Sequence, residues 1–100
     1  MNIREGTLIR GTSRVYDLVP AFARILRSID PSHPLPNRAE KTLIELDRHI
    51  PATPVWTRLN EVLYWHLESL VDAIDAYALP HGLYFGTTAG DGSDWGFWKP

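Results

Sequence analysis

Residues 79–98 read LPHGLYFGTTAGDGSDWGFW: two aromatic segments held apart by a run of Gly, Asp and Ser. Such a pattern predicts a β-hairpin over about 83–88 and 94–98, turning at Gly90–Asp94. Side chains alternate across a strand. Period two therefore puts Leu83, Phe85 and Thr87 on one face and Tyr84 and Gly86 on the other. On the return strand Trp95 and Phe97 share a face, and Gly96 and Trp98 share the reverse. The two glycines mark bare patches of sheet that something bulky is expected to cross.

Upstream of the hairpin lies the longest uninterrupted helical pattern. Thr53 suits an N-cap and Pro54 the first helical position. No Gly or Pro follows until Pro80, which predicts a helix over 54–78, about 37 Å long. At 100° per residue Leu59, Leu63, Leu67, Leu70, Ile74 and Tyr77 share a broad apolar face. Glu61, Glu68, Asp72 and Asp75 fall on the opposite face, with Trp65 at the edge of this acidic strip.

Two further helices precede it. Leu18, Val19, Phe22, Ile25, Leu26 and Ile29 follow the 3.6-residue period and predict a helix over 17–29, capped by Asp17, with Pro20 in the first turn. Arg24, Arg27 and Ser28 fall on its wet side. Asn37 with Glu40 reads as a capping box opening a helix over 38–48. The intervening segment 30–37, DPSHPLPN, is loop-like. Thr7–Arg10, flanked by Gly6 and Gly11, predicts a short strand that joins the hairpin as a third member, since a lone hairpin is marginal. The expected architecture is one small α+β domain spanning residues 1–100: three helices packed against a small antiparallel sheet.

Composition narrows the chemistry. The 100 residues include 10 Lys/Arg, 12 Asp/Glu and no Cys, for a net charge of −2. Disulfides, thiolate nucleophiles and Cys-type zinc sites are excluded. Residues 1–50 carry a balance of +2 and residues 51–100 a balance of −4. Lys99 is the only Lys or Arg in the last 40 residues. An aromatic platform for nucleic acid would need surrounding positive charge, so a nucleic-acid partner is not expected. No run of residues is apolar enough to span a membrane, and the opening MNIRE lacks a signal-peptide core, so a cytoplasmic protein is expected.

Catalytic patterns are thin. The four histidines, His33, His49, His66 and His81, include no pair at one-turn spacing, and no metal or cofactor is expected. The Gly90–Asp94 run has the look of a calcium loop but supplies two carboxylates and no closing Glu. A tight turn accounts for it. No serine sits in a nucleophile elbow.

Two functional expectations follow. The first is a non-enzymatic protein-binding or regulatory domain whose partner is another protein or a second copy. Its candidate interface comprises Tyr84, Trp95 and Trp98 on the hairpin and Glu61, Trp65, Glu68, Asp72 and Asp75 on the long helix. Trp and Tyr are favoured interface anchors. The second is a small-ligand or hydrolytic site in a cleft between hairpin and long helix, reached by His66, His81, Asp91 and Asp94.

Overall fold

In the computed structural model, which describes residues 1–88 and 90–100, the order is β1 (Gly6–Ile9), α1 (Val15–Ile29), α2 (Leu35–Leu46), α3 (Pro54–Ala78), β2 (Tyr84–Thr88) and β3 (Asp91–Trp98). The strands form one antiparallel sheet in the order β1-β3-β2. Three helices cover one of its faces, as the α+β reading expected.

α3 matches its predicted span. The Thr53 hydroxyl accepts from the Trp56 N–H at 3.4 Å, and Pro54 stands at the helix start. Its end is a Schellman turn. Gly82 takes the left-handed conformation (φ 72°), its N–H reaches the Leu79 carbonyl, and the Leu83 N–H reaches the Ala78 carbonyl. Leu83 is buried, completing the apolar contact of that motif and aiming the chain into β2.

The other helices begin earlier than predicted. α1 opens at Val15, because the Thr12 hydroxyl accepts from the Arg14 N–H (3.2 Å) and donates to Asp17 (2.7 Å). Asp17 is therefore held inside the first turn and is not the cap. α2 opens at Leu35, whose N–H donates to His33 Nδ1 at 3.2 Å. Asn37 and Glu40 form no capping box. Both accept from the Arg27 guanidinium, Asn37 at 2.7 Å. Arg27 is accordingly half-buried and pins α1 to α2, where the sequence placed it on the wet side.

Tertiary hydrogen bonds fix the helix directions. Tyr16 donates to Asn60 and Tyr77 donates to Asp30, each at 2.8 Å, so α1 and α3 run parallel. α2 starts beside the last turns of α1, where Arg27 meets Asn37 and Glu40, and packs on both other helices. Phe22, wholly buried on α1, stands edge-on to Phe85 (5.0 Å between centroids) and Trp95 (4.9 Å). It joins the helical layer to the sheet. Leu63, Leu70, Ile74, Phe85 and Phe97 complete the shared core.

The sheet register is Tyr84↔Trp98, Phe85↔Phe97, Gly86↔Gly96 and Thr87↔Trp95. It reproduces the predicted faces: Phe85, Thr87, Trp95 and Phe97 inward, Tyr84, Gly86, Gly96 and Trp98 outward. The Tyr84 ring edge lies 3.4 Å from where a Gly86 side chain would begin, and the Trp98 indole donates to the Gly86 carbonyl at 3.0 Å. At Gly96 what crosses is backbone. A Cβ there would meet the Gly6 carbonyl oxygen at 2.1 Å.

The predicted turn is corrected. Thr88 pairs with Asp91, so Asp91–Asp94 belong to β3, and the register jumps from Thr87↔Trp95 to Thr88↔Asp91. Ala89, between the first predicted strand and the predicted turn, lies outside the described residues. An irregularity also falls between Thr7 and Ile9 of β1.

Candidate functional site

α3 packs on α1 from Asn60, opposite Tyr16, to Tyr77, opposite Asp30, and on α2 as well. Its second half runs along the β2 edge, where Asp75 Oδ1 accepts from the Phe85 N–H at 2.8 Å. That bond satisfies an edge-strand donor and shields the edge from a foreign strand. Asp75 is thus half-buried and structural. It leaves the acidic strip to which the helical wheel assigned it.

Glu61, Trp65, Glu68 and Asp72 remain outward together and exposed. Trp65 is 61 % exposed, and Tyr64 beside it 50 %. Among the described residues none of the three carboxylates has an ion-pair partner. The negative field of the strip is therefore uncompensated locally, and like charges at Glu68 and Asp72 stand one turn apart. Tyr64 was missed by the sequence reading. Its only signal is an aromatic residue one position off a polar helix face.

The hairpin aromatics divide. Trp95 turns inward against Phe22, so it is not part of an exposed sheet face. Its indole nitrogen is buried with no acceptor among the described residues. Tyr84 and Trp98 lie on the outer face, half-buried over Gly86. One edge of Trp95 does reach the surface. With Leu67, Val71, Glu68 and Asp72 it lines a shallow hollow of about 300 Å³ beside the strip. Trp95, Glu68 and Asp72, drawn from the two separate parts of the expected interface, are thereby brought to one place.

The four residues of the expected cleft are dispersed. His66 is half-buried on the flank of α3 that meets α2. Burial first, then the Arg38 cation, lowers its pKa from the usual 6.5. His81 stands in the turn after α3 and lines a separate hollow with Met1, Ile3, Arg4, Ile29 and Tyr77. Asp91 accepts from the Ser93 N–H (2.9 Å) and hydroxyl (2.7 Å), which hold its carboxyl below the usual 3.8. Asp94 is buried on the outer sheet face. It accepts from the Thr7 hydroxyl at 2.7 Å and faces Arg10 at 3.8 Å, tying β1 to β3. No hydrogen bond or ion pair joins any two of the four among the described residues. Among those residues, too, no three His, Asp or Glu side chains gather as a metal site.

The second perturbed carboxylate is Asp30. The Tyr77 hydroxyl, then Ser32, hold its pKa below 3.8, while the same bond raises that of Tyr77 above 10.0. Both groups serve the α1–α3 junction and stand apart from the strip. No helix of the described chain is long and apolar enough to cross a membrane. Comparison of the chain with protein-family models, with curated proteins and with solved structures gave no match.

Proposed function

We propose that the chain is a non-enzymatic protein-binding domain and that the outward strip of α3 is its docking surface. The observation that carries this reading is Trp65. A large indole is held on a rigid helix, 61 % exposed, among three carboxylates that lack cationic partners. Left in water, that ring forgoes a sizeable burial term. A partner that covers it recovers the term. Charge complementarity specifies the partner: Lys or Arg side chains around an apolar residue, the cations meeting Glu61, Glu68 and Asp72. Opposite potentials across such a contact raise the encounter rate and fix register. The shallow hollow walled by Leu67, Val71 and Trp95 offers a seat for an apolar side chain at the rim of the strip.

The test is site-specific. A photo-reactive residue is placed at position 65, or at Leu79, which is equally exposed but away from the strip. Each protein is irradiated in an extract of its source cell. Adducts are expected from position 65, absent at position 79, and lost when Glu68→Lys and Asp72→Lys are added. Adducts that ignore the charge reversal, or that form equally from position 79, contradict the proposal.

A further inference from the structure

We infer that the partner seated on the α3 strip is a second copy of this chain, which docks through the opposite margin of the molecule, where β1 meets α1. The inference rests on the docking reading above and names its partner.

That opposite margin complements the strip in shape and charge. Leu8, Ile9, Ala21 and Ile25 line a hollow of about 270 Å³, with Arg24 on its rim. Leu8 is 38 % exposed there, so apolar surface is already open to a visitor. Arg24 is exposed and has no ion-pair partner among the described residues, whereas Arg4 lines an adjoining hollow with the exposed Glu5 beside it. One margin therefore presents a projecting indole among unpaired anions. The other presents an apolar hollow with the unpaired Arg24 on its rim. The chain's own distribution of charge, positive in its first half and negative in its second, builds this polarity. Seating Trp65 in the hollow brings the carboxylates around it toward Arg24. It covers apolar surface on both sides at once.

Topology makes the contact head-to-tail. α3 lies along β2, and β1 is the far edge of the order β1-β3-β2. The two surfaces thus belong to opposite ends of the sheet and cannot meet within one molecule. A contact between unlike surfaces does not close at a dimer unless the rotation happens to return. Association is therefore expected to extend beyond two copies as concentration rises. It is also expected to weaken with salt, because the paired charges lie at an exposed rim.

Sedimentation velocity of the intact chain, from micromolar to near-millimolar concentration, reads this directly. The mean sedimentation coefficient is expected to climb with concentration at low salt and to return to the monomer value at high salt. Glu68→Arg with Asp72→Arg, and separately Arg24→Glu, are each expected to abolish the climb. An equimolar mixture of the two variants is expected to restore it, since the reversed strip of one then faces the reversed margin of the other. Leu8→Gln reads the same margin if Arg24→Glu proves unstable. Wild-type protein that stays monomeric throughout, or association that survives both reversals, overturns the inference. A monomeric chain that still gives charge-dependent adducts from position 65 removes the second copy as partner and leaves the docking surface standing. A monomeric chain with no such adducts removes both.

Discussion

Gly96→Ala should detach β1 from the sheet. The added methyl would begin 2.1 Å from the Gly6 carbonyl oxygen, 2.9 Å from its carbon and 3.0 Å from the Thr7 Cα. Carbon–oxygen contacts settle near 3.3 Å or more, so β1 must withdraw by about 1.2 Å. Nothing flexible can yield instead, because all three obstructing atoms are backbone. Withdrawal on that scale stretches neighbouring N–H···O bonds from about 2.9 Å to beyond bonding range. It also separates Thr7 from Asp94, now 2.7 Å apart. Two backbone bonds at about 1 kcal/mol each, with a charge-assisted bond of similar or larger worth, give a loss of about 3 kcal/mol. For a domain of this size the melting temperature falls by roughly 12–24 °C. Gly86→Ala is the control. Its methyl would meet only the edge of the Tyr84 ring at 3.4 Å, an ordinary contact with a side chain that can turn. That variant should stay within ~1 kcal/mol of wild type. Urea unfolding of the two variants gives the comparison, with constant m-values confirming that midpoints report stability. Amide exchange at Ile9 shows whether β1 is what opens. Equal stability of the two variants would refute the steric reasoning.

Three further outcomes follow from the same contacts. Phe22→Ala empties the junction between α1 and the sheet and should cost about 3–5 kcal/mol in urea midpoint measurements. Asp75→Ala leaves the Phe85 N–H without its acceptor and should cost about 1–3 kcal/mol, with faster exchange at that amide, whereas Asp75→Asn, which retains an acceptor oxygen, should cost less. His66 is held below its usual 6.5, so as pH falls past 6.5 the unfolded chain takes up a proton first and stability declines until the folded form also protonates; His66→Gln should flatten the urea midpoint across that interval, and an unchanged slope would contradict the placement.

The fold was legible where local pattern and tertiary environment agree. α3 announces itself through Thr53, Pro54 and an unbroken apolar period, and each of these features meets its expected partner. The hairpin faces follow from strict alternation, and Gly86 and Gly96 were readable as bare patches because no other residue type leaves one. What stayed hidden was every polar side chain committed to a distant element. Asn37 and Glu40 have the spacing of a capping box, but Arg27, ten or more residues upstream, offers a stronger cationic donor. Asp75 falls on the polar side of the helical wheel. The wheel cannot show that β2 returns beside it with a free N–H. Asp91 and Asp94 read together as turn residues; Asp91 does close locally on Ser93, but Asp94 bonds to Thr7, at the other end of the chain. Exposure of Trp65 was likewise ambiguous in sequence. Its helical angle placed it at the margin between the faces, and only the packing of α1 and α2 on the other side of α3 decides which way it points.

Whether the Trp65 surface is covered in the cell tests the docking role of the α3 strip most directly. Hydroxyl-radical labelling of Trp65 can be compared between the dilute purified chain and the same chain in an extract of its source cell, with half-buried Trp98 as the internal reference. Strong labelling when dilute and protection in the extract, with Trp98 unchanged, is the expected result. Trp65 labelled as strongly in the extract as in dilute solution would contradict the docking role of the strip.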